Sequence, residues 1–226
     1  MRNFSKLAVS LTTAGILVAG LAACSSTTST DTPSSSTSSS SSAAAEPLAS
    51  IPALDGVDTQ VTLDAGFVEA LTTLGLTPGV IGGATLTDGV LAFPITGGNV
   101  DYYDPNESYR PYVQGSISHD GSGISLTAGD IVVELTDFRI DPGTSQLFGT
   151  VTANGEKVGD DIYIFNLDGS TLNPLAEDAD GNAVLEGTTV LISPDAAELL
   201  NATFSTDAVT DELVVGIAKI TAKAAE

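Results

Sequence analysis

The chain has 226 residues, of which 29 are acidic and 7 basic, giving a formal net charge of −22, and it carries one cysteine, one histidine and no tryptophan. One cysteine excludes an internal disulfide and a zinc or iron–sulfur centre built on several thiolates, so the fold must be held by core burial. So acidic a surface also excludes nucleic-acid binding, which needs clustered Lys and Arg to meet phosphates.

Arg2 and Lys6 open the chain, an apolar run follows from Leu7 to Leu21, and Ala22 and Ala23 lead to Cys24. A basic start, an apolar core and small residues before a cut are the order of a secretory signal, here residues 1–23. The core is shorter than the ~20 residues that span a bilayer as a helix. Leu21-Ala22-Ala23-Cys24 resembles the lipobox of bacterial lipoproteins. That resemblance implies cleavage before Cys24, a diacylglycerol thioether on its sulfur and, usually, acylation of the new amino terminus. Cys24 is then the lipidation site, the membrane is a partner through the lipid anchor, and the expected location is the extracellular face of the cell membrane. Two or three acyl chains, at roughly 0.8 kcal/mol per buried CH₂, hold stably where one does not. Loss of the signal leaves Arg110, Arg139, Lys157, Lys219 and Lys223, too scattered to form a basic patch.

From Ser25 to Ser42, sixteen of eighteen residues are Ser or Thr, and low complexity continues to Glu46. Nothing here can bury a core, so residues 24–46 read as a lipidated cysteine and a disordered linker. As a flexible coil the linker reaches roughly 25 Å, and roughly 75 Å at full stretch.

Residues 47–226 read as one acidic, β-rich domain, in which short apolar alternations are separated by Gly and Asp-Gly or Asn-Gly pairs. Expected strands are Gln60 to Leu63, Val90 to Ile95, Val100 to Tyr103, Tyr112 to His119, Gly123 to Thr127, Ile131 to Leu135, Gln146 to Thr152, Asp161 to Leu167, Thr188 to Ile192 and Val214 to Thr221. Asp88-Gly89, Asp120-Gly121 and Asn154-Gly155 are hairpin signals, because such pairs tolerate the positive φ of a type I′ turn. Asp141-Pro142-Gly143 supplies a further turn. Two short helices interrupt the pattern. One starts at Asp64 as N-cap, puts Phe67, Leu71 and Leu74 on one face and stops at Gly75; the other starts at Ser193, with Pro194 first and Asp195 near the positive helix end. The segments 61–71 and 190–200 share a strand, cap and helix order that hints at an internal repeat. The expected fold is mainly β, a single antiparallel β-sandwich or partly closed barrel with two short helices.

The segment from Tyr112 through His119-Asp120-Gly121 to Thr127, followed by Val132 to Val151, resembles HtaA-type domains. These are exported β-rich domains of actinobacteria, associated in some members with haem uptake. The likeness runs weakly from about Val61 to Ile220, and its most specific element is the strand ending in His-Asp-Gly. In haem-binding members a tyrosine on the first helix is an axial ligand, and the histidine of that element lies near the haem. His119 matches the second feature. Leu71 stands where the tyrosine would be, and the tryptophan common before that helix is missing. With an axial donor required, only Tyr102, Tyr103, Tyr109 or Tyr112 is left to supply it, and no cofactor is expected.

Tyr102, Tyr103, Tyr109 and Tyr112, with Arg110 among them, are candidate ligand-binding residues, since amphipathic rings around a loop make a binding face. They would equally cover a strand edge. His119 is the further candidate, its competing role being a turn residue bonded to its neighbours. The acidic loop 177–182 departs from an EF-hand, with Ala176 and Gly187 at ligand positions, and no metal site is assigned. No nucleophile elbow, metalloprotease helix, phosphate loop or dinucleotide fingerprint is present, so no catalytic residue is assigned and the chain is not expected to be an enzyme. The expectation is a cell-surface lipoprotein with a domain that binds a small-molecule ligand or an envelope protein. The alternative is a structural or adhesive cell-envelope protein with no small-molecule ligand.

Overall fold

The computed structural model describes residues 46–108 and 110–225, so the signal, Cys24, nearly all of the linker and Tyr109 lie outside the described residues. In chain order the strands are β1 (Ala49–Ile51), β2 (Leu54–Leu63), β3 (Thr77–Gly82), β4 (Thr85–Thr87), β5 (Val90–Pro94), β6 (Gly97–Tyr102), β7 (Val113–Ala128), β8 (Ile131–Asp141), β9 (Gln146–Ala153), β10 (Glu156–Asp168), β11 (Ala176–Glu177), β12 (Ala183–Ile192) and β13 (Val214–Ala224). Helix α1 (Ala65–Thr73) follows β2, and helix α2 (Pro194–Phe204) follows β12.

All pairings are antiparallel, and they run in the order β1-β6-β7-β8-β9-β10-β12-β13-β2-β5-β4, with β3 against β7 and β11 against β12. The sheet curls into a half-barrel. Where its two ends approach, the β5–β6 connection bonds to both, Ile95 N to Val57 O at 3.2 Å and Thr96 N to Ser118 O at 2.8 Å. Period-2 alternation sends one face inward: Val133, Leu135 and Ile140 on β8, Leu147 and Val151 on β9, and Val190 and Ile192 on β12 are buried.

The hairpin signals are borne out at two sites. Asp88-Gly89 (φ 51° and 79°) joins β4 to β5, and Asn154-Gly155 (φ 51° and 80°) joins β9 to β10. Asp120-Gly121 is different: β7 runs straight through it, and its register against β8 slips between His119 and Gly123. Asp120 N donates to Thr96 Oγ1 at 2.9 Å and Gly121 N to Asp137 Oδ1 at 2.8 Å. Side chains thus take up amides that a bulge frees, and the strand bends where the dipeptide alone reads as a reversal.

Both helices start as their sequences require. Asp64 accepts from Gly66 N at 2.7 Å, and Ser193, fully buried, accepts from Ala196 N at 3.0 Å while donating to Tyr163 O at 2.7 Å. Phe67 and Leu71 of α1, with Ala196, Ala197 and Leu200 of α2, are buried in the core. Strands β2 and β12 flank β13 on opposite sides, both antiparallel to it, so their helices leave at the same end of the barrel. No described helix is long and apolar enough to cross a membrane.

Candidate functional site

The interior of the half-barrel is divided along its length. Between α1, α2 and the strands beneath them only a cavity of about 30 Å³ remains, lined by Phe67, Leu71, Leu200 and their neighbours. At mid-length a second, of about 40 Å³, is bounded by Thr59, Phe93, His119, Phe138 and Phe165. The end remote from the helices holds a cavity of about 300 Å³, within the range of small-ligand sites.

This large cavity has two facing walls. Val100 and Tyr102 of β6, Val113 and Ile117 of β7 and Ile140 of β8 form one; Leu185 and Thr188 of β12 with Ala218, Ile220 and Ala222 of β13 form the other. Partly exposed Ala49 and Ile51 of β1, Ala183 of β12, Leu172 and Leu175 complete its mouth, where Arg110, Pro111 and Ser145 also stand. Nearly every side chain is aliphatic, so burying an apolar ligand here gains about 25 cal/mol per Å² of area removed from water.

The tyrosine cluster is partly assembled. Tyr102, 6 % exposed, and half-buried Tyr112 meet edge to face, centroids 5.9 Å apart and planes at 84°, and both line the cavity. Leu175 N lies 3.5 Å from the Tyr102 hydroxyl. Burial, then the neighbouring Tyr102, raises the Tyr112 phenol above its ordinary pKa, against a smaller lowering by Arg110. Arg110 lies over the Tyr112 ring at 5.4 Å and donates to Glu107 O and Pro105 O, both at 2.7 Å. Tyr103 is outside the lining; its backbone N–H donates to Tyr112 O at 2.7 Å.

His119 is placed elsewhere, 1 % exposed and not part of the large cavity's lining. Its Nδ1 is 3.2 Å from Phe138 O and its Nε2 is 2.8 Å from Thr59 Oγ1. A carbonyl only accepts, so Nδ1 carries the proton and Nε2 accepts from the threonine hydroxyl. Burial, outweighing Phe138 and Asp120, lowers the imidazole pKa from 6.5 to about 4. The ring is a neutral core group, edge-on to Phe93 with centroids 6.5 Å apart.

These residues do not fit an axially ligated haem. Leu71 offers no donor and sits against a 30 Å³ void, while both nitrogens of His119 are engaged beside a 40 Å³ one. In the large cavity Tyr102 and Tyr112 are packed edge to face against each other, and burial raises the Tyr112 phenol above its ordinary pKa. In the acidic loop Asp178 accepts from Asp180 N, Asn182 N and Asn182 Nδ2, each at 2.9 Å, which makes it a satisfied turn. Among the described residues no group of three or more His, Cys, Asp or Glu could hold a metal ion.

Sequence reasoning found the tyrosines and the strands that carry Thr188, Ala218 and Ile220 opposite them, but not the rest of the lining. Ala183 to Gly187 had no strand expected, yet β12 begins at Ala183, and β1 and the Leu172–Leu175 segment were assigned no element. Only the short alternation at Ala49 and Ile51 signalled them.

No model of a known protein family matches the chain, and no curated protein matches it. Among solved structures, the crystal structure of the C-terminal domain of HtaA from Corynebacterium glutamicum superposes with a TM-score of 0.50 at 16 % identity, covering 76 % of this chain and 97 % of that one. The fold is HtaA-like. At that identity the likeness speaks for the HtaA-like architecture alone, and the cavity must be read from its own residues.

Proposed function

We propose that this chain is a lipid-anchored protein of the extracellular face of the cell membrane, whose HtaA-like body acts by binding an apolar small molecule and not by catalysing a reaction. One observation carries the binding reading: a 300 Å³ aliphatic cavity opens beneath Tyr102 and Tyr112. A purely structural or adhesive body would present those tyrosines on a flat face. The resemblance to haem-uptake domains supports a related role in the envelope, with the ligand changed because the axial donor is absent. The lipobox-like end of the signal and the Ser/Thr segment support the anchor and the linker.

Titration of the exported chain with N-phenyl-1-naphthylamine, an uncharged dye that fluoresces in apolar sites, tests the reading. A saturable signal is expected, and Ala183→Trp or Ala49→Trp, each placing an indole at the mouth, should abolish it with the fold intact by circular dichroism. No saturable signal from the parent chain sinks the binding reading. Mass spectrometry of residue 24 tests the anchor separately.

A further inference from the structure

The cavity's chemistry narrows the ligand. We infer that it takes a single unbranched acyl chain, tail inward and polar end at the mouth; this rests on the binding reading above.

Three features select that shape and polarity. Inside, the polar groups are few: the Tyr102 hydroxyl, to which Leu175 N already points, the hydroxyl of half-buried Tyr112, and Thr188. Arg110, the one charged side chain of the lining, stands exposed at the rim with its guanidinium bonded to Glu107 O and Pro105 O. A ligand with polar atoms along its length would leave them unpaired, at a cost of a few kcal/mol each, so the polar end stays outside.

The second feature is the aromatic geometry. Tyr102 and Tyr112 are packed against each other at 84°. They do not form the parallel pair that would sandwich a flat ring system, and the facing wall, from Leu185 to Ala222, is aliphatic apart from Thr188. Methylenes against Leu, Ile, Val and Ala side chains are the complementary surface.

The third is volume. At the packing density of a protein interior a methylene occupies roughly 27 Å³, so about 300 Å³ holds about eleven of them. Ile140, Leu167 and Ala218 close the inner end, since the same three residues bound the separate small void beside His119. The tail therefore meets a floor.

Such a chain has two sources: a lipid of the membrane beneath, or the acyl groups proposed on Cys24. The polypeptide enters the body through β1, whose Ala49 and Ile51 line the mouth.

Displacement of N-phenyl-1-naphthylamine by monoacylglycerols of six to eighteen carbons, each below its micelle concentration, tests the inference on the exported chain bearing Cys24→Ser. Affinity should rise about fourfold per added methylene and level off near eleven. Dye binding without dependence on chain length, a rise that continues undiminished to eighteen carbons, or equal competition by a rigid polycycle would overturn the acyl assignment and leave the simpler binding reading standing. The natively lipidated chain, verified by mass spectrometry, then separates the sources. Dye exclusion before any lipid is added assigns the chain's own anchor, and dye binding equal to that of Cys24→Ser assigns a separate lipid.

Discussion

Nε2 of His119 on β7 and Oγ1 of Thr59 on β2, sixty residues apart in sequence, meet at 2.8 Å inside the half-barrel. Their strands are not neighbours in the sheet, so the bond is a strut across the lumen. Burial disfavours the charged form of this ring, and that makes the body acid-sensitive.

The folded imidazole takes a proton only near pH 4, whereas the unfolded chain takes one near 6.5. The native contribution of the neutral ring is therefore complete above pH 6.5 and declines as pH falls toward 4, by about 1.4 kcal/mol per pH unit and about 3 kcal/mol in all. Urea midpoints measured from pH 7.5 to 4 should fall accordingly, and His119→Phe should flatten the profile over that interval. An unchanged slope in the variant contradicts the assignment.

Thr59→Val keeps the shape of the side chain and removes the hydroxyl, leaving Nε2 of a 1 % exposed histidine without its donor. The expected loss is about 1–3 kcal/mol. Thr59→Ser, which retains the oxygen, should recover most of it in the same denaturation assay.

Strand β6 reaches Tyr102 through a contact that no side chain fits. Gly98 has φ 120°, and a Cβ there would lie 1.9 Å from Ser116 O on β7. Gly98→Ala should cost about 2 kcal/mol or more and weaken dye binding, because β6–β7 pairing sets the Tyr102–Tyr112 wall. Neighbouring Gly97, with open space at its Cβ position, should accept alanine within about 0.5 kcal/mol.

Haemin added to the purified chain should produce no saturable Soret shift. The reason is local: leucine stands at position 71 and both ring nitrogens of His119 are bonded. A saturable shift that disappears in His119→Ala would show that the core opens to admit the porphyrin.

Much of this architecture was legible because it is written in local terms. Alternation of period two marked the barrel strands, two-residue turns with positive φ marked two hairpins, and Asp64 and Ser193 marked both helix starts through bonds that span two or three residues. Asp120-Gly121 escaped because a bulge and a turn share the same dipeptide. The difference lay in Thr96 and Asp137, distant residues that hold its amides.

The candidate site divides in the same way. Four tyrosines within eleven residues were visible, as was a histidine before Asp-Gly. Which of them share a cavity was not, because Tyr102 and Tyr112 are brought together by the β6–β7 register and face β12 and β13, more than seventy residues away. His119 points instead to β2. The sequence by itself determined the β character, the charge and the absence of an axial tyrosine at position 71, since these depend on composition and near neighbours. Closure of the curled sheet decided which apolar faces pack shut against α1 and α2 and which face each other across empty space, because volume inside a barrel is set by pairings among strands far apart in the chain.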